Sequence, residues 1–344
     1  MSGPGGRADR PTMRDVAALA GVSLKTVSRV VNDEPGVSPS VRDRVLVAAG
    51  RLDYRHNLAA SNLRRGGART GVVGGLVQDV GNSFSATMLR AVEDALRPRS
   101  ILLLAASLDE VDVREREIVE NLLSRRVDGL VLMPASDRQD YLSAEVRAGL
   151  PIVFADRRPA GIDVDSVTVD NRAGARAAIE HLLAHGHRRI GILTDLASIP
   201  TSARRVEGVR EAYAAARLPL DDSLLVRDIR DAGTASTVAA GLLDLDDPPT
   251  AFFAARNVIA EGVVRELMRR GLQRRIAHVG FDDLPMADLV DPGLTVIRQD
   301  ATRLGECVGE RLLARLDGDD SAPRHTVFAP TLVVRGSGEI RPGT

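Results

Sequence analysis

The 344-residue chain is long enough for about two domains in addition to a small one. Its single cysteine, Cys307, excludes an internal disulfide, and no apolar run is long enough to span a membrane. The net charge of −1 conceals an asymmetry, because residues 1–69 carry 12 basic and 6 acidic side chains and the remainder carries 34 and 41. A basic head favours phosphate contacts, whereas an acidic body discourages non-specific wrapping by nucleic acid.

The first part of the chain predicts a tail followed by two short helices. Residues 1–11 have no apolar stretch, so we expect a disordered tail rather than a secretory signal, and a cytoplasmic protein. Residues 12–32 predict two helices joined by a tight turn at Gly21, since glycine accepts a positive φ. Ser23 is placed to cap the second helix. The apolar sides of the two helices are Val16, Ala17 and Ala20, then Val27, Val30 and Val31.

The second predicted helix also has a polar side. It carries Leu24, Lys25, Ser28 and Arg29, and Lys25 is the only lysine of the chain. A short helix that presents cationic and polar side chains, supported by another helix, is typical of the helix-turn-helix that reads the major groove of DNA. We therefore predict that residues 12–55 are an all-α domain that binds duplex DNA.

A third helix and a marginal fourth one follow. Ser38 and Pro39 suit a helix start, and apolar residues then recur at helical spacing through Leu52. Residues 57–65 form a shorter candidate helix, which is too short to be stable alone in water. Because it is basic and lies next to the predicted DNA-binding domain, residues 56–69 are a candidate hinge helix and linker that folds on DNA.

From residue 70 the pattern changes to short apolar strands that alternate with amphipathic helices. This alternation predicts parallel sheets covered on both faces, and the strands are too numerous for one compact sheet. We predict an α/β body of two doubly wound lobes over residues 70–344, with ligands at the carboxyl ends of the strands. The predicted strands are 72–77, 101–105, 130–133, 152–154, 190–193, 251–254 and 276–279.

Several motifs resemble the LacI/GalR (lactose-repressor) family of bacterial transcription regulators. They are residues 15–17, 20–23, 26–30, 32, 57–63, 185–191, 279–283 and 295–300. The resemblance implies a periplasmic-binding-protein-like body with a first lobe of about 70–168 and 297–325 and a second of about 169–296 and 326–344. It also implies a homodimer, most simply a repressor, that binds a palindromic operator with an affinity set by a small molecule between the lobes.

The resemblance assigns residues to the DNA contact. Leu24, Lys25 and Arg29 match positions that read base edges, and Leu63 matches a leucine that is wedged into the minor groove. His56 replaces the family's usual proline, which predicts a hinge that costs more to order. The full predicted set is Thr12, Ser23, Leu24, Lys25, Thr26, Ser28, Arg29, Asn32, Tyr54, Asn57, Leu63 and Arg64.

The resemblance also assigns an effector site at strand ends. The predicted set is Phe84, Asp156, Arg157, Arg205, Arg256 and Asp282. Charged groups in a closing cleft can hold a polyol through bidentate hydrogen bonds. Two positions depart from the family pattern. Residue 229 is isoleucine where an aromatic is often found, and Arg256 stands where an asparagine is common. Both departures weaken the prediction that the ligand is a sugar. Together the arginines make an anionic or phosphorylated ligand an alternative.

Two functions of other classes also fit part of the pattern. The two-lobed body alone would suit a solute-binding protein of a transport system, but the basic head and the lack of a signal speak against it. A sugar-modifying enzyme would need a catalytic motif, and we find none, so we predict no enzyme, cofactor or metal. His185 and His187 flank a turn glycine and are interpreted as a helix-end loop rather than metal ligands.

Overall fold

A computed structural model describes residues 11–31, 34–54, 69–136 and 138–343. The predicted tail, except Pro11, and the predicted hinge helix, with His56, lie outside these residues. By its internal contacts the chain divides into two units, Met1–Thr70 and Gly71–Thr344.

The first unit contains three helices packed around a small apolar core. They are α1 (Met13–Ala20), α2 (Leu24–Val31) and α3 (Pro39–Arg51). Gly21 ends α1 in the left-handed conformation at φ 63°, which confirms the predicted turn. Val16, Val27 and Val45, one from each helix, are fully buried against one another. The first two helices are therefore held at a fixed angle by apolar contacts with the third.

The second unit alternates strands and helices throughout. The elements are β1 (Val72–Val77), α4 (Ser83–Leu96), β2 (Leu102–Ser107), α5 (Asp112–Ser124), β3 (Gly129–Leu132), α6 (Ser143–Arg147), β4 (Ile152–Asp156), β5 (Asp165–Val169), α7 (Asn171–Ala184), β6 (Ile190–Leu193), α8 (Pro200–Ala215), β7 (Leu225–Val226), α9 (Ala232–Leu243), β8 (Ala251–Ala254), α10 (Asn257–Arg269), β9 (Ala277–Phe281), β10 (Thr295–Arg298), α11 (Ala301–Leu316), β11 (His325–Phe328) and β12 (Thr331–Val333).

These strands form two six-stranded sheets, one for each lobe. The first lobe has the order β11-β5-β4-β3-β1-β2, and the second has the order β12-β10-β9-β8-β6-β7. All pairings are parallel except that of β12 with β10. Buried apolar clusters cover both faces of each sheet, as in doubly wound folds. The predicted fold class, an all-α head with two parallel-sheet α/β lobes, is confirmed.

The chain passes between the lobes three times: after β5, after β10 and between β11 and β12. The last two passages fall a few residues later than the predicted lobe boundaries of about 297 and 326. β10 pairs with β9 of the second sheet, and His325–Phe328 pair with β5 of the first. A sequence pattern predicts where a strand begins and ends, but it does not predict which of the two sheets an edge strand joins. The sheet is determined by backbone pairing with a neighbouring strand.

An ion-pair network fixes the end of α11 to the first sheet. The Asp165 carboxylate is buried at the start of β5 and accepts hydrogen bonds from Arg315 Nε at 2.6 Å and from Arg311 Nη2 at 3.1 and 3.2 Å. Burial alone would raise the pKa of Asp165, but the hydrogen bonds from Arg315, the Arg324 backbone and Arg311 outweigh it and hold the pKa below its usual value. The Asp165 carboxylate is therefore ionised in the folded state at neutral pH.

Candidate functional site

Helix α2 begins at a capped N-terminus. The Ser23 Oγ accepts a hydrogen bond from the Thr26 backbone N–H at 3.1 Å, which confirms the predicted cap. At α1, the Thr12 backbone N–H and hydroxyl both donate to Asp15 Oδ2 at 2.7 Å, and these bonds lower the pKa of Asp15. Thr12, Ser23 and Thr26 therefore carry local capping bonds, in addition to the DNA contacts predicted for them.

The outer side of α2 carries the predicted reading residues at different depths. Leu24, 41% exposed, and Lys25 extend into solvent, whereas Ser28 and Arg29 are half-buried. Neither Lys25 nor Arg29 forms an ion pair with any residue of the described ranges. A groove of about 420 Å³ separates α2 from the start of α3 and is lined by both cations. Two free cations beside a groove are suited to phosphate and base-edge acceptors.

The other predicted DNA contacts divide into two groups. Tyr54 is half-buried and packs on the apolar core of the head. Its position therefore leaves only part of the ring available for an external contact. Asn32, Asn57, Leu63 and Arg64 lie outside the described residues, so their assignments stay predictions.

The six predicted effector residues come together between the lobes. Asp156 ends β4 and Asp282 follows β9, and both adopt left-handed φ angles of 64° and 71°. Arg205 projects from α8 of the second lobe, and Phe84 lies in the first turn of α4. All six, Arg157 and Arg256 included, line one small cavity of about 30 Å³, which is large enough for about one or two water molecules. The cleft is therefore nearly closed.

A buried pair of amides joins the lobes across the cleft. Asn82 Nδ2 donates to Asn257 Oδ1 at 2.9 Å, and Asn257 Nδ2 donates back to Asn82 Oδ1 at 3.1 Å. Asn82 also caps α4 by accepting from the Phe84 backbone N–H. Because Asn257 opens α10 of the second lobe, this reciprocal pair ties two helix starts together in the closed cleft.

Each cleft arginine already has protein partners. Arg157 forms a bidentate pair with Glu110, and Arg256 Nη1 donates to Asp195 Oδ2 at 2.7 Å. Arg205 Nε donates to Asn171 at 2.7 Å, its Nη1 donates to the Ala255 carbonyl at 2.6 Å, and its guanidinium stacks 3.7 Å from the centre of the Phe281 ring. Burial lowers the pKa of Arg205 from its ordinary value, although nearby carboxylates oppose this.

Two buried oxygens at the cavity have no donor among the described residues: Asp156 Oδ1 and Gln299 Oε1. Gln299 uses its amide nitrogen to donate to Asp282 Oδ1 at 2.5 Å. Burial raises the pKa of Asp156, although the Arg157 and Arg205 guanidinium groups act in the opposite direction. Two acceptors without donors in a closed site are suited to a ligand that donates hydrogen bonds.

Sequence reasoning missed several cleft residues, although their signal was present. Gln78 follows β1, Asp195 follows β6 and Gln299 follows β10, so each is a polar residue just after a strand. Asp156 and Asp282, which the family resemblance assigned, also stand at strand ends. Asn82 gave a weaker signal because its residue type and position also fit an ordinary helix cap, a role that it has as well.

A second, larger cavity of about 470 Å³ adjoins the closed one. Its lining includes Phe84, Asp282 and Gln299, which the two cavities share, together with Thr87 and Arg298. Within the described parts of the chain, no group of histidine, cysteine or carboxylate side chains is placed to hold a metal ion. His185 ends α7 and Gly186 turns at φ 100°, as predicted for a helix-end loop.

Comparisons with known proteins agree with this architecture. Residues 12–57 match the model of bacterial regulatory proteins of the lacI family, and residues 179–338 match a periplasmic binding protein-like domain. The chain is 30% identical to catabolite control protein A of Priestia megaterium, over 93% of this chain and 96% of that protein. It is 29% identical to the ribose operon repressor of Haemophilus influenzae, over 95% and 98%.

Two solved structures extend the comparison. The lac repressor dimer bound to operator and the anti-inducer ONPF matches with a TM-score of 0.81 and 26% identity, over 96% of this chain and 99% of that one. The complex of the transcriptional regulator CelR with cellobiose matches with a TM-score of 0.69 and 30% identity, over 95% and 100%.

A helix-turn-helix head with an effector-type body of two lobes defines a ligand-responsive DNA-binding regulator of transcription, not an enzyme. The match to relatives over nearly the whole chain identifies it further: the chain belongs to the LacI family of bacterial regulatory proteins. No helix in the described part of the chain is both long and apolar enough to cross a membrane.

Proposed function

We propose that the protein is a cytoplasmic repressor that binds a palindromic operator as a dimer and responds to a small neutral polyol in its cleft. The observation that carries this proposal is the convergence of six predicted side chains from both lobes on one closed polar cavity. A solute-binding protein for transport would use the same cleft, but its function would not require a capped helix that presents Lys25 beside a groove.

For the head, we propose that α2 lies in the major groove. Lys25 and Arg29 would donate to guanine O6 and N7, and Leu24 would contact a thymine methyl. The relatives include a repressor that was solved as a dimer on its operator. We extend that arrangement to this chain, with residues 56–69 as the hinge that orders on DNA and Leu63 as the minor-groove wedge.

For the cleft, the charge balance favours a neutral ligand over an anionic one. Three guanidinium groups face four carboxylates, those of Glu110, Asp156, Asp195 and Asp282. The buried atoms without a partner in the described part of the cavity are two acceptors, Asp156 Oδ1 and Gln299 Oε1, and one donor, Arg157 Nε. Since two of the arginines are already ion-paired, hydroxyl groups, which both donate and accept hydrogen bonds, fit better than phosphate oxygens, which only accept. A relative that was solved with cellobiose, and another named as a ribose operon repressor, are consistent with a hydroxyl-rich effector.

For the dimer, we propose that the edge of the first sheet contributes to the interface. β2 is the outermost strand of that sheet, and its Leu102 is 70% exposed and Leu104 48% exposed. An exposed apolar edge strand is a surface that proteins normally cover. A second copy of the chain would cover it in the assembly that a palindromic operator requires.

The first experiment is the selection of genomic DNA fragments by the purified full chain without added ligand. Enrichment of a palindrome supports the proposed reader. Fluorescence anisotropy on that operator, titrated with neutral sugars and then with their phosphorylated forms, tests the cleft. A response to the phosphorylated forms alone would contradict the neutral-polyol assignment, and failure to enrich any sequence, with or without a metabolite extract, would contradict DNA reading.

A further inference from the structure

An internal carboxylate, that of Glu110, occupies the guanidinium group of Arg157 in the cleft. Glu110 lies in the loop between β2 and α5, and its Oε2 and Oε1 accept from Arg157 Nη1 at 2.7 Å and Nη2 at 2.5 Å. Arg157 Nη1 also donates to the Pro134 carbonyl at 2.7 Å. Both side chains are more than nine-tenths buried. This is the fork-to-fork geometry by which arginine normally binds a carboxylate or phosphate ligand.

The loop that carries Glu110 is held in an unusual conformation. Asp109 and Glu110 have successive left-handed φ angles of 54° and 56°, a region that glutamate rarely adopts. Contacts from both lobes hold the loop there, among them the hydrogen bond from the Asp109 backbone N–H to the Gln78 carbonyl at 2.8 Å. Arg230 Nη2 of the second lobe donates to the Asp109 carbonyl at 3.0 Å, and Gln78, with its amide oriented to satisfy both neighbours, donates to Glu110 Oε1 at 3.1 Å and accepts from Arg256. Strain of this kind persists only where the surroundings enforce it.

We propose that Glu110 is a specificity-determining residue that acts as a resident anion and excludes anionic effectors from the cleft. The inference rests on the proposed effector function and refines it. With Glu110 in place, both Nη atoms of Arg157 donate to protein acceptors, and only its Nε has no partner in the described chain; Asp156 Oδ2 lies 3.8 Å from that nitrogen. An incoming carboxylate or phosphate would therefore find neither the bidentate fork nor a net positive charge.

Removing Glu110 should convert the cleft to an anion receptor. The Glu110→Ala variant loses a CH2–COO⁻ group, which acetate replaces atom for atom. Without that group Arg157 loses its bidentate partner and is left with the longer 3.8 Å contact from its Nε to Asp156 Oδ2. We therefore expect acetate and inorganic phosphate to bind this variant at least tenfold more tightly than the wild type. The binding is measured by calorimetry on the full-length protein, and by the rise of its thermal unfolding midpoint, at an ionic strength held constant with sodium chloride.

Matched variants identify the site of binding. Glu117→Ala removes an exposed carboxylate from α5, and we expect it to behave like the wild type. The double variant Glu110→Ala/Arg157→Ala should lose the gained affinity. Should Glu110→Ala fail to fold, Glu110→Gly also removes the CH2–COO⁻ group and suits the left-handed φ of 56° at this position. It should then show the same gain for acetate and phosphate.

Two results would overturn the proposal: a folded Glu110 variant that binds these anions no better than the wild type, or a gain that persists without Arg157. The measurement involves no DNA and no natural effector. A failure of the proposed operator binding or of the neutral-sugar response would therefore appear in separate assays and leave this result unchanged.

Discussion

His278 provides a test of how the core of the second lobe responds to pH. It lies in β9 and is buried, and neither ring nitrogen has a hydrogen-bond partner in the described chain. In the sheet it is paired with Phe252 of β8, which belongs to the apolar cluster on one face. Because the imidazole is desolvated and no group stabilises its cation, burial lowers the pKa of His278 to about 3.

The size of the stability loss on acidification follows from the difference between the pKa values of His278 in the folded and unfolded states. In the unfolded chain the pKa of a histidine is about 6.5, so as pH falls below that value the unfolded state binds a proton that the folded state refuses. His278 therefore costs stability progressively between about pH 6.5 and pH 3, at about 1.4 kcal/mol for each pH unit. Acidification from pH 7.5 to pH 5 should thus lower the free energy of unfolding by about 2 kcal/mol through this residue alone.

The assay compares the wild type with His278→Leu in urea at both pH values. Unfolding is followed by far-ultraviolet circular dichroism, because the chain has no tryptophan. We expect the leucine variant to lose about 2 kcal/mol less on acidification. Equal losses in the wild type and in His278→Leu would refute the reasoning.

Three further predictions concern the head, the cleft and the first lobe. Arg29→Ala should weaken operator binding by about 1–3 kcal/mol and relax the choice of one base pair, as measured by anisotropy on single-base operator variants; uniform weakening on all sequences would contradict base reading. Asp282→Ala should leave operator binding intact and abolish the effector response, and a folded variant that no longer binds DNA would show that the cleft assignment is wrong. Asp165→Ala leaves the half-buried Arg315 without its carboxylate, while Arg311 keeps Asp319, and should lower the free energy of unfolding by about 1–3 kcal/mol in urea, whereas Asp163→Ala, which removes an exposed carboxylate, should change it little.

Continuous apolar strands were predictable from the sequence, whereas polar or very short ones were not. β1, β6 and β8 were predicted to the residue because they are uniform apolar runs between turn residues. β5 was missed because Asp165, Ser166 and Thr168 are buried in it through side-chain hydrogen bonds, which hydrophobic periodicity does not record. The short strands β7 and β12 depend on sheet pairing rather than on their own sequence.

The location of the cleft was predictable from the sequence, but the ion pairs formed by its arginines were not. Polar residues after strands identified where the ligand-binding face would lie, because parallel strands end at a common edge. The same sequence led us to consider three free arginines and an anionic ligand. The structure pairs two of them with Glu110 and Asp195, which are distant in sequence and come from different loops. Such pairings arise from tertiary contacts, and no spacing rule within one segment predicts them.

The three passages of the chain between the lobes have a consequence for biosynthesis. Helix α11 covers one face of the first sheet through Leu304, Val308 and Leu312, and β11 completes that sheet, yet both follow the whole of α7 to β10 in the second lobe. A nascent chain that has not reached residue 301 therefore exposes an apolar sheet face that only the last part of the chain can cover. Contacts of such long sequence separation slow folding and prolong the exposure of aggregation-prone surface. The first lobe thus begins to be synthesised first but can be completed only after most of the second lobe. If translation stops before residue 301, the chain lacks α11 and β11, so the first sheet stays incomplete and the cleft cannot form.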